Sequence, residues 1–454
     1  MRVTPETLNN MRLTLSMVLT ILMAFCTELK AKTAQPSETQ QVPSTGMSQE
    51  NDSIEIVEYV TQYPSVVHYD KNQLLLPSGD STRLLGFFSK LDSLMLFGTG
   101  RLNVVHIGGS HVQGDAFSNK MRMHFASLQS NAVAERGAFF PWSAAKTNGP
   151  WNLVTSHTGT WQKSQNSLGV PTHDMGIMGY AVATNDTSAT ISFELNPTRC
   201  TNRTCWSFNR LRLFAKMDDS LTTPLLDIDS TIYEGVKMND CYVFPLPIDA
   251  DHGTLRFRHN VADSVLQAKP FEVSVEGIIP ENNRNGIVYH ALGVNGAAVK
   301  SWLKCTDFEK QLQYIVPDLL ICGIGINDAN VPYSSFDPEE YKRQYRQLLD
   351  IIYKANPDCA VIFLTNNDCA LRLRRKNRGA NKNTPRVEKA LIELAQEQNA
   401  AVWDQYMVMG GMGSSVDWVN AGLMCKDRVH FTAAGYDVIG DLLFDALMNF
   451  KWNY

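Results

Sequence analysis

Ser110 stands in a setting that could present a nucleophilic hydroxyl. Residues 104–107 form a short apolar run that predicts a buried strand, and Gly108 and Gly109 then allow a sharp turn. Apolar residues recur at helical spacing after the serine, at Phe117, Met121, Phe125 and Leu128. This pattern places the hydroxyl at the carboxyl end of a strand and the start of a helix, where developing negative charge is stabilised. Taken alone, Ser110 also fits an ordinary helix N-cap.

Two later stretches favour the chemical interpretation. Residues 325–328, Gly-Ile-Asn-Asp, follow an apolar run that predicts a strand, and residues 427–430, Asp-Arg-Val-His, precede a predicted C-terminal helix. Ester hydrolysis by a serine needs an activated hydroxyl, a base held in place and donors for the oxyanion. We therefore predict that Ser110 is the nucleophile, His430 its base and Asp427 the carboxylate that orients the base. The three-residue spacing lets one loop supply both Asp427 and His430.

Together these stretches resemble the SGNH (GDSL-like) hydrolases, whose motif blocks occur here in the family's order. The resemblance implies an oxyanion hole made of the backbone N–H groups of Ser110 and Gly296 and the side-chain amide of Asn327. Gly293 is an alternative to Gly296, and Asp328 is interpreted as a structural carboxylate that holds the Asn327 loop.

One position departs from the family pattern. The family usually carries Asp before the serine, whereas this chain has Gly109. Because that Asp is not a triad member, the resemblance still implies activity, with different packing of the turn. His111 and Gln113 follow the serine as in the bacterial peptidoglycan O-acetylesterase branch. We expect His111 to point along the helix, away from the nucleophile.

The elements that must position these residues alternate between strands and helices after residue 286, which predicts an α/β fold with a parallel sheet covered by helices on both faces. The resemblance implies the flavodoxin-like sheet of the SGNH hydrolases. Between residues 150 and 285 short alternating strands replace this rhythm and predict an inserted β-sandwich. The predicted division is a signal peptide at 1–34, a tether and lead-in at 35–79, the hydrolase domain at 80–150 and 286–454, and a carbohydrate-binding-like sandwich at 151–285.

The N-terminus predicts export. Arg2 and Arg12 precede an apolar run at 13–25, and small residues follow, as in a secretory signal. Cys26 raises the alternative of a lipoprotein anchor, although Phe25 occupies the position of an expected small residue. We therefore expect a periplasmic or cell-envelope protein without a membrane span beyond this signal.

The cysteines and the net charge limit the possible partners. Nine cysteines in an exported chain permit disulfides, and Cys200–Cys205 is the predicted pair. The cysteine spacings do not form a zinc pattern. A net charge of −5 argues against nucleic acid as the main partner.

Two further sets of residues have open interpretations. A basic run follows a predicted core strand and predicts either a solvated loop or a rim for an anionic glycan; it comprises Arg372, Arg374, Arg375, Lys376, Arg378 and Lys382. Trp142, Trp151 and Trp161 predict either a sugar-stacking platform or a seal between domains.

The resemblance implies an exported carbohydrate O-acetylesterase that works through an acetyl-Ser110 intermediate and needs no metal or organic cofactor. Acetylated peptidoglycan is the favoured substrate, followed by other acetylated polysaccharides. Two alternatives remain: an O-acetyltransferase that uses the same residues, and a catalytically silent glycan-binding envelope protein in which Gly109 marks lost activity.

Overall fold

Strands and helices alternate along the chain, except between residues 154 and 281, where the elements are strands. The computed structural model describes residue 63 and residues 65–128, 133–195, 206–260, 270–372 and 378–453. In chain order the strands are Leu74–Leu75 (β1), Arg101–Gly108 (β2), Val133–Glu135 (β3), Val154–Thr158 (β4), Gln162–Gln165 (β5), Tyr180–Thr184 (β6), Thr190–Glu194 (β7), Phe208–Met217 (β8), Thr222–Ile228 (β9), Thr231–Glu234 (β10), Val236–Met238 (β11), Cys241–Ala250 (β12), His252–His259 (β13), Val273–Glu281 (β14), Gly286–Gly293 (β15), Leu319–Gly323 (β16), Ala360–Leu364 (β17), Ala370–Arg372 (β18), Arg378–Ala380 (β19) and Ala401–Trp403 (β20).

The helices follow the same chain order. They are Thr82–Phe97 (α1), Ser110–Gln113 (α2), Ala116–Ser127 (α3), Val299–Trp302 (α4), Phe308–Leu312 (α5), Ile326–Ala329 (α6), Pro338–Ala355 (α7), Thr384–Gln398 (α8), Gln405–Val408 (α9), Ser415–Asn420 (α10) and Ala433–Asn453 (α11), with 3-10 helices at Tyr69–Lys71 and Tyr333–Ser335. In the sequence, Asp337 directly before Pro338 predicts a helix N-cap. This prediction is confirmed, because the Asp337 carboxylate accepts hydrogen bonds from the first turn of α7.

A seven-stranded sheet carries the α/β part of the chain, in the order β1-β20-β17-β16-β2-β15-β3. Neighbouring strands are parallel except for β1, which pairs antiparallel with β20 at the edge. The predicted α/β fold class is therefore confirmed, with one antiparallel edge strand added.

Helices cover both faces of this sheet because successive side chains of a strand point in opposite directions. Val104 packs in an apolar cluster with side chains of α1, α3 and α11. The next residue, Val105, packs in a second cluster with side chains of α7 and α8. Both valines are fully buried, so β2 lies at the centre of the layered core and its carboxyl end is rigidly held.

Glycines mark the carboxyl ends of three adjacent strands. Gly108 of β2 is in register with Gly293 of β15 and with Gly323 of β16. Gly293 lets α2 approach the sheet closely, since a Cβ there would lie 2.1 Å from the backbone nitrogen of Gln113. Loops that leave these three strands therefore begin side by side.

Gly293→Ala tests this close approach. We expect the substitution to lower the free energy of unfolding by roughly 3 kcal/mol, because the new methyl group meets backbone rather than a movable side chain. Urea unfolding followed by circular dichroism measures the change. Gly86→Ala in α1 is the control, since a Cβ at that position meets no atom within 4 Å and alanine favours the helix. Equal unfolding midpoints for the two variants would contradict the prediction.

Two antiparallel sheets occupy the middle of the sequence. Their strand orders are β11-β12-β8-β14-β6-β5 and β10-β9-β13-β7-β4. Phe193 of one sheet packs against Phe208 of the other, with ring centroids 6.0 Å apart, so the two sheets share an apolar interior. All their strands lie inside the range 151–285 predicted for the insertion.

The helix predicted from Ser110 onward is interrupted. Between α2 and α3, Asp115 adopts a left-handed backbone with φ 58°. Its carboxylate is fully buried and accepts hydrogen bonds from the Arg122 guanidinium and from Asn152 Nδ2. A buried carboxylate needs such partners. The break between α2 and α3 therefore places Asp115 within hydrogen-bonding distance of Arg122 in α3 and of Asn152, which lies just before the antiparallel strands.

Two further element boundaries also differ from prediction. The spacing of Leu84, Leu85, Phe88 and Leu91 predicts a helix over residues 80–103. This helix, α1, ends at Phe97, and β2 already begins at Arg101. The α/β rhythm also predicts a helix over residues 308–316. This helix, α5, ends at Leu312, and Val316 has a left-handed backbone with φ 49°. A β-branched residue strongly disfavours that conformation, so the tertiary packing overrides the helical pattern.

Several predictions concern residues outside those described. They include the signal at 1–34, most of the tether, Cys26, and the pair Cys200 and Cys205. Cys322 lies in an apolar run that predicts a core strand, and it is buried in β16. The described cysteines, Cys241, Cys305, Cys322, Cys359, Cys369 and Cys425, are free thiols. Among the described helices, none combines the length and apolar character needed to cross a bilayer.

Candidate active site

Ser110 and His430 lie in hydrogen-bonding contact although 320 residues separate them in sequence. Ser110 is the first residue of α2, directly after the turn that ends β2. Its Oγ lies 2.8 Å from His430 Nε2. His430 Nδ1 lies 2.7 Å from Asp427 Oδ2. The structure thus brings together the three residues predicted for the triad, in the order hydroxyl, imidazole, carboxylate.

The loop before α11 holds Asp427 and His430 in one local arrangement. Asp427 Oδ1 accepts hydrogen bonds from the backbone N–H groups of Val429 and His430, at 2.9 and 3.0 Å. The other oxygen, Oδ2, remains for the imidazole. Arg428 has a left-handed backbone, with φ 55°, which folds the loop so that the carboxylate faces its own neighbours. The short Asp-x-x-His spacing is sufficient because the loop folds back, so that Asp427 contacts both the backbone and the imidazole of the residues that follow it.

The electrostatics of Asp427 suit a carboxylate that stays ionised. Burial, the largest single influence, would raise its pKa, but hydrogen bonds from His430 and from two backbone N–H groups outweigh it, and the pKa lies below its usual range. An ionised Asp427 accepts from the protonated Nδ1 of His430 and leaves the Nε2 lone pair facing Ser110. This is the tautomer that a general base needs.

Gly296 and Asn327 line the same cleft as Ser110. Gly296 has φ +76°, a left-handed conformation that favours glycine. Asn327 lies in α6, directly after β16, and its Nδ2 donates one hydrogen bond to the Ala297 carbonyl at 2.9 Å. The second N–H of this amide is available to a ligand. Asn327 and the Gly296 turn are thereby tied to one another beside the serine.

Asp328, next to Asn327 in α6, also connects α6 to the segment that follows the Gly296 turn. Its carboxylate accepts hydrogen bonds from the backbone N–H of Val299, the first residue of α4, at 3.2 and 3.3 Å. Burial raises the pKa of Asp328 to about 7. These contacts agree with the interpretation of Asp328 as a structural carboxylate.

The cleft in front of Ser110 has a volume of about 690 Å³. Four further asparagines line it: Asn148, Asn295, Asn330 and Asn381. Among the described residues that line it, Asp427 is the one with a carboxylate, and none is lysine or arginine. The walls therefore present neutral amide donors and acceptors, which suit hydroxyl and amide groups of a ligand.

Gln113, to which the sequence pattern assigns no role, contacts two walls of the cleft. It is 1% exposed, and its Oε1 accepts from the Asn295 backbone N–H at 2.6 Å and from the Tyr180 hydroxyl at 2.9 Å. Its Nε2 donates to the Asn148 carbonyl at 2.7 Å. One side chain of α2 thus holds two walls of the cleft. No sequence signal pointed to these partners, which lie 35 to 182 residues away.

The expectation for His111 is wrong. Its ring lies beside the base, with centroids of His111 and His430 5.4 Å apart, and its Nδ1 is 2.9 Å from the Tyr436 hydroxyl. Burial, with a smaller contribution from His430, lowers the pKa of His111 to about 3. Because α2 is only one turn long, its second residue is directed toward the loop that carries His430 rather than along an extended helix.

The tryptophans divide between interior and surface. Trp142 and Trp161 are 3% and 5% exposed, whereas Trp151 is 37% exposed. Trp142 packs edge-on against Tyr180, with centroids 5.4 Å apart. A buried ring cannot stack on a sugar, so Trp142 and Trp161 favour the packing interpretation.

The basic run begins in β18 with Arg372 and continues through β19 to Lys382. Ala370 and Asn381, at the base of this pair of strands, line the cleft. Arg374, Arg375 and Lys376 lie outside the described residues. Both interpretations of the run remain predictions.

Asn327→Ala tests the proposed amide donor. We expect kcat for 4-nitrophenyl acetate to fall roughly 10²- to 10³-fold, since the oxyanion loses a hydrogen bond made in the transition state, while KM changes little. Steady-state kinetics measure both parameters. Asn330→Ala is the matched control in the same cleft. Equal kcat values for the two variants would remove Asn327 from the oxyanion hole.

Comparison with known proteins identifies the type of domain. Residues 274–438 match the model of the GDSL-like Lipase/Acylhydrolase family, so the resemblance seen in the motifs is confirmed. That range contains Gly296, Asn327, Asp427 and His430 but begins after Ser110. No curated protein sequence matches the chain.

Solved structures resemble the chain to different extents. One, described as "Peptidoglycan O-acetylesterase in action, 5 min", has a TM-score of 0.66 at 19% identity and covers 84% of this chain and 99% of that chain. An acetyl xylan esterase has a TM-score of 0.28 at 17% identity, covering 36% and 81%. A GDSL-like lipase from Bacteroides thetaiotaomicron has a TM-score of 0.27 at 18% identity, covering 36% and 76%. The first of these shares the overall fold.

Proposed function

We propose that this chain, which carries a GDSL-like lipase/acylhydrolase match over residues 274–438, is a serine esterase that removes O-acetyl groups from a glycan. One observation carries the proposal. Ser110, His430 and Asp427 form a continuous hydrogen-bonded chain, with distances of 2.8 and 2.7 Å, at a cleft that Gly296 and Asn327 also line. A hydroxyl, a base with its orienting carboxylate and oxyanion donors are the parts that acyl transfer needs.

In the first half of the reaction the acetyl group moves to the enzyme. Ser110 Oγ bonds to the acetyl carbonyl carbon while its proton passes to His430 Nε2. The carbonyl oxygen becomes an oxyanion. It accepts hydrogen bonds from the backbone N–H groups of Ser110 and Gly296 and from Asn327 Nδ2. Collapse breaks the bond between the acetyl carbon and the sugar oxygen, and His430 returns the proton to that oxygen. The products are a free sugar hydroxyl and acetyl-Ser110.

Water completes the cycle. It attacks the acetyl carbon of acetyl-Ser110 and gives one proton to His430. The second tetrahedral intermediate collapses, Ser110 Oγ regains the proton from His430, and acetic acid leaves. Asp427 stabilises the imidazolium at each stage without itself taking a proton. Because Asp427 is held by two backbone N–H groups, it keeps the ring aligned through both halves.

The neutral lining of the cleft supports a carbohydrate ester as substrate. Asparagine side chains offer paired donors and acceptors that match sugar hydroxyls. The likeness in fold to a peptidoglycan O-acetylesterase supports acetylated peptidoglycan as the first choice, with other acetylated polysaccharides next. In this proposal the antiparallel sheets help to hold the glycan, and the enzyme acts in the cell envelope after export. Cell fractionation of the native host tests the location.

Acetate release from O-acetylated peptidoglycan, measured beside O-acetylated xylan, tests the reaction and the choice of glycan. We expect faster release from peptidoglycan, and phosphonylation of Ser110 by a fluorophosphonate probe, located by peptide mass spectrometry. Acetyl groups transferred to an added sugar in place of free acetate would instead indicate an O-acetyltransferase. A folded protein that binds glycan, releases no acetate and stays unlabelled would contradict the esterase proposal.

A further inference from the structure

A small cavity adjoins the cleft and shares part of its lining. Its volume is about 30 Å³, and the ends of β2, β16 and β17 and the start of α11 surround it. His111, Phe431 and Tyr436 line both this cavity and the cleft. Whatever occupies the cavity therefore contacts the same side chains that back the proposed triad.

Three nitrogen atoms of the cavity wall have no hydrogen-bond partner among the described residues. They are His106 Nε2, His111 Nε2 and Asn366 Nδ2. His106 is fully buried and Asn366 is 5% exposed. Buried polar atoms in native proteins are nearly always paired, with protein or with ordered water. Three unpaired nitrogens around one cavity point to a ligand.

The chemistry of the wall defines this ligand. The Asn366 amide nitrogen can only donate, which excludes a metal cation. The cavity exceeds the roughly 10–15 Å³ that one water molecule requires, and is too small for an organic molecule. A water molecule makes two to four hydrogen bonds and both donates and accepts, so it can satisfy all three nitrogens.

One set of tautomers satisfies all of these groups. In it the Tyr436 hydroxyl donates to His111 Nδ1, 2.9 Å away. His111 then carries its hydrogen on Nε2 and donates to the water. Since Asn366 donates as well, both lone pairs of the water are used. His106 must therefore accept through Nε2 and donate from Nδ1 to the Tyr289 hydroxyl, 2.9 Å away.

We propose that His106, His111 and Asn366 bind one internal water molecule, and that this water and Tyr436 together fix His111 as a positioning residue against His430. The proposal rests on the proposed function for the role of His430. Held from both of its nitrogens, the His111 ring cannot rotate and supports the base at a centroid distance of 5.4 Å. A neutral ring in this position adds no charge beside the imidazolium that forms on His430 during acyl transfer.

A crystal structure of the full chain at atomic resolution tests the water directly. The expected result is one ordered water within hydrogen-bonding distance of His106 Nε2, His111 Nε2 and Asn366 Nδ2. Side-chain rotation that pairs these nitrogens with protein atoms, or a cavity without electron density, would overturn the proposal. This readout does not depend on catalysis, so it stands apart from a failure of the esterase function.

Asn366→Leu tests the positioning role by removing a donor to the water. The rate at which the fluorophosphonate reacts with Ser110 reports on the base without requiring a glycan. We expect this rate and kcat for 4-nitrophenyl acetate to fall about tenfold, with KM nearly unchanged, because small misplacement of a reacting group is costly. The control is Asn282→Leu, which removes a buried asparagine at the junction of β14 and β15.

The two leucine variants separate positioning from stability. Both lose a buried hydrogen bond, so their thermal midpoints fall together, but only Asn366→Leu should slow the labelling of Ser110. Equal labelling rates in the two variants would mean that the cavity does not position His430, and would overturn that half of the proposal.

Discussion

Ser110→Ala is expected to lower kcat for 4-nitrophenyl acetate roughly 10⁴- to 10⁶-fold, the range found when a nucleophile of a serine hydrolase is removed. Without Oγ no acetyl-enzyme can form, and the remaining catalysis comes from the oxyanion donors and from binding. The change deletes one oxygen atom whose protein partner is His430 Nε2, so folding should be almost unaffected. Initial rates and burst-phase product release measure the effect.

Ser127→Ala is the matched control for this substitution. Ser127 lies at the end of α3, where its hydroxyl donates to the His124 carbonyl, away from the cleft. The control should retain wild-type turnover, and both variants should unfold within a few degrees of the parent. If the Ser110 variant hydrolyses the ester as fast as the Ser127 variant, the nucleophile lies elsewhere and the mechanism above is wrong.

Asp427→Asn is expected to lower kcat roughly 10⁴-fold through the tautomer of the base. The amide oxygen of asparagine can still accept from the Val429 and His430 backbone N–H groups, as Asp427 Oδ1 does. The amide nitrogen then faces His430 Nδ1, and because it donates, the imidazole proton moves to Nε2. His430 can no longer accept the Ser110 proton. Activity measured from pH 6 to 9 should stay low throughout.

Asp337→Asn provides the control for loss of a carboxylate charge. Asp337 caps α7 by accepting from backbone N–H groups, a task that asparagine performs nearly as well. This variant should keep full activity. The Asp427 variant should react slowly with the fluorophosphonate yet unfold at a temperature similar to that of the parent protein. Wild-type turnover by Asp427→Asn would show that His430 is oriented by another group.

Much of the candidate site could be predicted because its parts are local in sequence. The turn before Ser110 shows as an apolar run, two glycines and a serine. The pair Asp427 and His430 lies within one loop, and the backbone hydrogen bonds that hold Asp427 come from residues two and three positions ahead. Motif order and resemblance then suggested that Gly296 and Asn327 join them.

The sequence pattern gives a wrong orientation for His111 and no role for Gln113, and both have the same cause. A long helix after Ser110 predicts that His111 points away from the nucleophile. The helix instead breaks at Asp115, whose carboxylate binds Arg122 and Asn152. The role of Gln113 depends on Tyr180 and on the Asn295 N–H, neither of which is near it in sequence. Periodicity describes one element at a time and contains no information about such partners.

Local patterns in the sequence indicate the alternation of strands and helices, the range of the antiparallel strands and the residue types able to perform acyl transfer. They do so because strand and helix patterns and short motifs are encoded locally. The geometry of the site depends on the tertiary structure. There Ser110 contacts His430 across 320 residues, His111 lies beside the base, and Gln113 contacts the cleft walls. These contacts arise where the carboxyl ends of β2, β15 and β16 align in register, and such alignment follows from packing of the whole sheet between its helices.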